Sequence, residues 1–465
     1  VELLKIVTKS KLAPDVIASE YFRHKKYFGS KERKIASEIV FLHLRFLGFS
    51  EYLFEKFNKS INNKNSENTA EKVLLTLFIN IMLYPENLNL ITQNIEKLYS
   101  IDNGKELLQK YIIDQIELNF NLVELKTNIK ELDQFFQRFK KYPQQNTEAE
   151  DLTKLSARCS VQHFILSSWI KLYPLQGINP FEIAESLLFP SPLTIRINNN
   201  NFPRERILEL LQSEGFECYN TSFSPYGITF PERVKLLQHP LYKNGIIEIQ
   251  DEGSQFICLA CKPRKGDKIL DACAGAGGKS LFLSFLQGDN GFIVANDINI
   301  LKLKELMKRA NRAGFKSIKT NLLSTKKSKA TLLRENYFDI VLVDAPCSGI
   351  GTSRRNPMHK WWITEQRLQK IARKQLELLS FYSKFVKQGG HLVYSTCSLM
   401  PDENQFVTSK FLEINNDFKP APLIDAFDYF GISIPNLTEN SFELNLFPHI
   451  HKTDGFYIAK FVKAT

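Results

Sequence analysis

Methionine (4), tryptophan (3) and cysteine (7) are scarce in this chain of 465 residues, and Asp plus Glu (50) are outnumbered by Lys plus Arg (61). No run approaches the ~18 consecutive apolar residues of a membrane-spanning helix, which argues against a membrane partner. The opening residues carry no apolar signal segment, so the few cysteines read as reduced thiols and a cytoplasmic setting is expected. Proline is nearly missing from the front third: through residue 142 only Pro14 and Pro85 occur. Long helices are therefore permitted there.

Hydrophobic residues at 43% and charged residues at 24% are ordinary globular values, which excludes a disordered scaffold or a low-complexity polymer. The length is about three times that of a usual domain, so two to three domains with separate cores are expected. The net charge of +11 favours a polyanionic partner such as RNA, DNA or anionic lipid, but a lysine-rich soluble protein would carry the same surplus.

Apolar residues recur at helical spacing in the front third, as in Ile35, Ile39, Leu42 and Phe46, and predict an all-helical domain over 1–145. Arg33, Lys34, His43 and Arg45 on the same stretch face either RNA or solvent, with the solvated face the better reading. The Asn/Ser-rich run 58–68 reads as a loop, and Tyr142 to Thr147 as a linker. A small α+β domain is expected over 155–250. Its strands are Leu193–Ile197 and Gly227–Phe230, its helix is Arg204–Ser213, and Arg196 reads as an ordinary exposed charge or a phosphate contact. From about Lys262 apolar strands alternate with amphipathic stretches, the pattern of a doubly wound, Rossmann-like α/β domain over 251–465. Its strands are placed at 268–273, 291–297, 317–323, 338–346 and 391–397, and its helices near 301–313 and 364–387. No internal repeat is present.

Ile269 to Lys279 is a strand running into a glycine-rich turn that opens a helix, where unpaired N–H groups can hold an anionic group. Its spacing is that of neither a Walker loop nor Gly-x-Gly-x-x-Gly. The next strand ends at Asp297, about 20 residues on, where such folds hold a ribose by its hydroxyls. A nucleoside-bearing cofactor follows, with NAD and S-adenosylmethionine both open on these residues. Cys347, in Asp344-Ala-Pro-Cys-Ser-Gly, and Cys397, in Ser395-Thr-Cys-Ser, each end a parallel strand on the edge where ligands bind. Neither has a Cys-x-x-Cys partner, so a zinc site is not expected. Cys258 and Cys261 do have that spacing, but in an expected helix they read as core.

These segments, with Gln250 to Gln255, Arg354 to Pro357 and Thr453 to Ala459, resemble the bacterial Sun/Fmu-type members of the RsmB/NOP2/Sun family of RNA cytosine-5 methyltransferases. The resemblance is to the ribosomal type with a NusB-like helical domain in front. It implies S-adenosylmethionine as cofactor, small-subunit (16S) ribosomal RNA as substrate and partner, no metal, a part in rRNA processing, and a monomer. Cytosine carbon 5 is too weak a nucleophile to take a methyl group unaided, so a thiolate adds first to carbon 6 and is expelled later.

Residue types leave open which cysteine attacks; the resemblance assigns attack to Cys397 and assistance of release to Cys347. By the same carry-over Cys273, Ala274, Gly275, Ala276, Gly277, Gly278 and Lys279 cradle the methionine part of the cofactor. Asp297 holds the ribose, Asp344 lies beside cofactor and cytosine, and Lys279 also reaches toward the base. The adenine-side acid of the family is replaced by Asn321. Ala276 stands where the family usually has proline, after Gly275 in place of an alanine; the looser turn raises the ordering cost of binding by ~1 kcal/mol. A flipped or unpaired base is required. Arg354 and Arg355 are candidates for phosphate contact, and Trp361 and Trp362 for either stacking or packing.

Two rivals remain on the sequence alone. The same reaction on transfer RNA would use the same cysteines. A non-catalytic RNA-binding or ribosome-assembly factor on this fold would account for Ala276 and Asn321 but has no need of both cysteines.

Overall fold

With only Pro14 and Pro85 in it, both at the start of a helical segment, the front of the chain forms helices Glu2–Lys9, Pro14–His24, Ser30–Arg45, Leu47–Asn58, Thr69–Leu83, Asn89–Tyr99, Gly104–Asn119 and Leu122–Lys141. The computed structural model describes residues 1–58, 69–141, 148–199, 201–232, 234–323, 332–435 and 437–464. The expected loop after Asn58 and the expected linker at 142–147 lie outside the described residues.

The chain divides into two compact units, Val1–Pro190 with Thr352–Thr364, and Ser191–Gly351 with Glu365–Thr465. By compactness, residues 149–190 fall in the first unit. Helices Ala149–Cys159, His163–Leu172 and Pro180–Ser186 join the first unit, because Leu155, Ile165, Trp169 and Phe181 have apolar faces that only a helical core can bury. The Phe181 and Phe136 rings meet edge to face. Two residues expected on a solvated face are buried instead: His43 Nδ1 pairs with Thr76 Oγ1 at 2.8 Å, and Arg45 is also enclosed.

The segment Thr352–Thr364 is held within this helical unit. Met358 packs with Leu3, Val7, Phe22 and Leu44. Lys360 Nζ donates to the Arg45 carbonyl at 2.9 Å, and Trp361 Nε1 to the Leu44 carbonyl at 3.3 Å. The Gln162 amide donates to the carbonyls of Lys360 and Ile363 at 2.7 and 2.8 Å. Trp361 and Trp362 therefore pack into the helical core, and the Arg354 guanidinium donates to the Pro190 carbonyl at 2.9 Å.

The second unit holds two sheets. The small one is antiparallel, with strands β1 (Leu193–Ile197), β2 (Tyr219–Asn220), β3 (Gly227–Phe230) and β4 (Ile247–Ile249) in the order β2-β3-β1-β4. Helix Arg204–Ser213 supplies Ile207 and Leu211 to its core.

The large sheet holds β5 (Lys268–Asp271), β6 (Phe292–Asp297), β7 (Ile318–Leu322), β8 (Phe338–Asp344), β9 (Val386–Thr396), β10 (Phe418–Pro420), β11 (Glu443–Leu446) and β12 (Phe456–Lys463). Its order is β10-β12-β9-β8-β5-β6-β7, with β11 on β12. From β7 to β9 the pairing is parallel, and β12 joins antiparallel. This is the doubly wound arrangement read from the sequence, with its reversal of strand order between β5 and β8, where ligands bind beyond the carboxyl ends. The helix before β9 ends at Ser383 rather than 387, and the strand begins at Val386, earlier than read.

Candidate active site

β5 ends at Asp271, and the next residues turn sharply into helix Gly278–Leu286. Gly275 and Gly277 have φ of +55° and +87°, a region that favours glycine. The Gly277 N–H closes the turn on the Ala274 carbonyl at 2.9 Å. Asp297, at the end of β6, accepts the Gly275 N–H through Oδ2 at 2.8 Å and the Asn299 N–H through Oδ1 at 2.7 Å. Asn296 donates to the Ala272 carbonyl at 3.0 Å and accepts from Asn321 at 2.8 Å, so Asn321 is fastened to the floor of this edge.

From the turn, Lys279 Nζ reaches Asp344 Oδ2 at 2.6 Å, while Ser395 Oγ donates to Asp344 Oδ1 at 2.9 Å. Asp344 so links the glycine turn to the end of β9. Burial works against the Lys279 ammonium, but the adjoining carboxylate outweighs it and raises the lysine above its ordinary value. Asp271 is enclosed; burial lifts its carboxyl to about 6 against the hydrogen bond from Ser280. Burial also pushes the Cys273 thiol up.

Cys347 and Cys397 face one another with their sulfurs 3.2 Å apart. The hydrogen bond to Cys397, together with burial, drives the Cys347 thiol well above the ordinary thiol range. Cys347 thus keeps its proton at neutral pH. The loops that carry the two sulfurs are tied at one buried group that the sequence reading missed. Glu403 accepts the N–H of Ser348 at 2.7 Å, the hydroxyls of Ser348 and Ser398, and the Gln375 amide at 3.0 Å. The available signal was the repeated Cys-Ser pair: each serine follows one of the cysteines.

Gln250 to Gln255 and Thr453 to Ala459, distant in sequence, meet behind this edge. Asp251 caps helix Glu252–Cys261, accepting the Gly253 N–H at 2.9 Å, and Gly253 lies so close to Phe456 that a Cβ there would stand 2.5 Å from the ring. Cys258 and Cys261 are fully buried core residues, as expected. Among the described residues no cluster of three or more His, Cys, Asp or Glu could hold a metal, and no helix is long and apolar enough to cross a membrane.

A glycine turn, an acid at the next strand end and residues such as Lys279 and Asp344 gathered at the carboxyl edge of a doubly wound sheet define a Rossmann-like methyltransferase domain. The family model described as 16S rRNA methyltransferase RsmB/F matches residues 258–462, and the ferredoxin-like domain model of RsmF/B-like methyltransferases matches 163–236. The probable ribosomal RNA small subunit methyltransferase B of Bacillus subtilis is 30% identical over 326 residues, covering 68% of this chain and 69% of that protein. A 28S rRNA (cytosine-C(5))-methyltransferase of Mus musculus is 30% identical over 338 residues, 68% of this chain and 41% of the mouse protein. Among solved structures, a methyltransferase homologue from Pyrococcus horikoshii is 27% identical, covers 68% of this chain and 100% of its own, and gives a TM-score of 0.57. The chain belongs to the RsmB/F family of 16S rRNA methyltransferases.

Proposed function

We infer that the chain methylates carbon 5 of a cytosine in ribosomal RNA, with small-subunit 16S RNA as substrate, using S-adenosylmethionine and a covalent cysteine–cytosine intermediate. The observation that carries this reading is the 3.2 Å approach of Cys347 and Cys397 at the strand edge. A binding factor has no use for two opposed thiols there. The names of the Bacillus and mouse relatives support ribosomal RNA as acceptor. The helical unit, read as the NusB-like part, and the small sheet are assigned to RNA contact.

The turn fits the cofactor on its own geometry. Cβ atoms added at Gly275 and Gly278 would meet nothing within 4 Å, so the backbone there is open to a ligand. Helix Gly278–Leu286 starts with no side-chain cap, so its first N–H groups are available to an anionic group. Cys273 to Lys279 would hold the methionine part, Asp297 the ribose, Asn321 the adenine side, and Asp344 the space between cofactor and base. When bound, S-adenosylmethionine supplies a methyl group on a sulfonium as the electrophile.

Cys397 sulfur adds to carbon 6 of the flipped cytosine, forming a C–S bond and moving the 5,6 electron pair onto carbon 5. After carbon 5 is methylated, its proton passes to solvent water, the C–H electrons restore the 5,6 double bond, the C–S bond breaks and its electrons return to Cys397. Cys347, holding its proton beside that sulfur, assists the departure. Lys279 and Asp344 position the base and keep its edge hydrogen-bonded.

The test is methyl transfer from labelled S-adenosylmethionine to unmodified 16S, 23S and transfer RNA, with the modified base located by sequencing. Cys347→Ala is expected to accumulate a nuclease-sensitive protein–RNA adduct on a denaturing gel, and adding Cys397→Ala to remove it. Transfer by wild type with no adduct in Cys347→Ala would refute the assigned roles. Absence of transfer to any RNA would refute the activity.

A further inference from the structure

From the sequence, Arg196 reads as an ordinary exposed charge or a phosphate contact. It is fully buried, with its guanidinium over Phe282 at 4.6 Å from the ring centre. Its Nη1 donates to Asn198 Oδ1 at 2.5 Å, and its Nη2 points to the Gly278 carbonyl at 3.4 Å. A second arginine reaches the same turn from the other side. Arg309, on helix Ile300–Ala313, donates from Nη1 to the Ala276 carbonyl at 2.7 Å and from Nη2 to Glu248 Oε2 at 2.8 Å. Leu306, one helical turn earlier, closes over Gly277, where an added Cβ would stand 2.4 Å from the leucine.

Glu248 lies on β4 of the small sheet and is 1% exposed. Its other oxygen accepts from Arg312, whose guanidinium stacks over Tyr242 at 4.0 Å. The carboxylate is thus compensated by Arg312 as well, and Arg309 has a second arm for the turn. The peptide it grips is informative: the Ala276 carbonyl and the Gly277 N–H belong to one amide, and that N–H closes the turn on Ala274. A charged donor on the carbonyl polarises the amide and strengthens the hydrogen bond made by its N–H. Alanine at 276 leaves φ unfixed by a ring, so order at this position must come from outside the turn.

We propose that Arg309, anchored by Glu248 of the small sheet, is a positioning residue that holds the Ala276–Gly277 peptide in its binding shape and so sets the affinity for S-adenosylmethionine. The proposal rests on the assignment of this turn as the cofactor cradle. Preorganisation of this kind improves binding without touching the reacting atoms, so it acts on the cofactor KM and leaves kcat alone.

The experiment is calorimetric titration of the full chain with S-adenosylmethionine, together with steady-state methyl transfer, for wild type, Arg309→Met, Arg309→Lys and Arg312→Met. Arg309→Met is expected to weaken binding about tenfold and raise the cofactor KM equally, with kcat and RNA affinity within twofold of wild type. Arg309→Lys, which keeps one charge but not the two-armed reach, falls between. Arg312→Met removes a partner of Glu248 that does not touch the turn, and is expected to bind the cofactor as wild type does.

Equal affinity in Arg309→Met and wild type overturns the proposal. So does equal weakening in Arg312→Met, which would mark a packing effect. If Arg309→Met does not fold, Arg309→Lys decides alone: about threefold weaker binding or more supports the proposal, and unchanged binding overturns it. Failure of wild type itself to bind S-adenosylmethionine overturns the cofactor reading and this proposal with it.

Discussion

The hydroxyls of Ser348 and Ser398 lie 3.0 Å apart, each one residue beyond one of the two facing cysteines, Cys347 and Cys397. Both donate to Glu403, so the spacing of the sulfurs is fixed by a buried carboxylate rather than by the thiols themselves. Glu403→Ala leaves the Ser348 N–H and the Gln375 amide without this acceptor, which is expected to cost ~2–4 kcal/mol of stability. Glu403→Gln, with one oxygen retained, is expected to fold and to lower kcat by about 10- to 100-fold at unchanged cofactor KM. Thermal melts and saturating methyl-transfer rates read the two effects separately.

Gly351 offers a second route to the same geometry. Its N–H donates to the Cys397 carbonyl at 3.0 Å, and its carbonyl accepts the Gly455 N–H at 2.8 Å. A Cβ at 351 would stand 2.0 Å from the Gly455 oxygen, a backbone atom that cannot swing away. Gly351→Ala is expected to destabilise the chain by ~2–3 kcal/mol and to move the Cys397 loop. Denaturant melts would show the loss. The rate constant for alkylation of Cys397, followed by mass spectrometry, is expected to change with it.

β5, β6 and β8 were legible because each is a short apolar run that ends in Asp, and β1 and β3 because they alternate. β10, β11 and β12 were not read as strands: the first two are edge segments of three and four residues with mixed polarity. In the site, the cysteines, the glycine turn and Asp297 stood out because their chemistry needs rare residue types at strand ends. Glu403, Arg309 and Glu248 did not, since common charged residues become informative only when burial is known. Arg196 misled for the same reason, as strand alternation cannot say that helix Gly278–Leu286 brings Phe282 across that face.

Lys360 is enclosed in the helical unit. Burial, reinforced by nearby Arg45, pulls its ammonium down to about 7. The folded value lies below the unfolded one, so this group's contribution is intact above pH ~10.5 and is lost as pH falls toward 7. Lys360→Met removes the buried charge at similar volume. It is expected to stabilise the helical unit at pH 7 by roughly 2–4 kcal/mol, with the gain vanishing near pH 10.5. All three tryptophans, Trp169, Trp361 and Trp362, belong to this unit, so fluorescence-monitored urea unfolding reports on it directly. A gain that does not change with pH would refute the charge argument.

Asp271 gives the opposite sign in the second unit. One of its oxygens accepts from Ser280 at 2.6 Å, and the other is buried with no hydrogen-bond partner among the described residues. Its carboxyl titrates at about 6 when folded, against an ordinary 3.8. A raised acid contributes stability that is complete below the unfolded value and is lost as pH rises through the folded one, here between pH ~4 and ~6. Asp271→Asn keeps an acceptor for Ser280 and carries no charge at any pH. Relative to wild type, it is expected to gain up to ~3 kcal/mol of unfolding free energy between pH 4 and 7. Circular dichroism melts of both proteins across that window would check it, and parallel curves would show that Asp271 stays ionised in the fold.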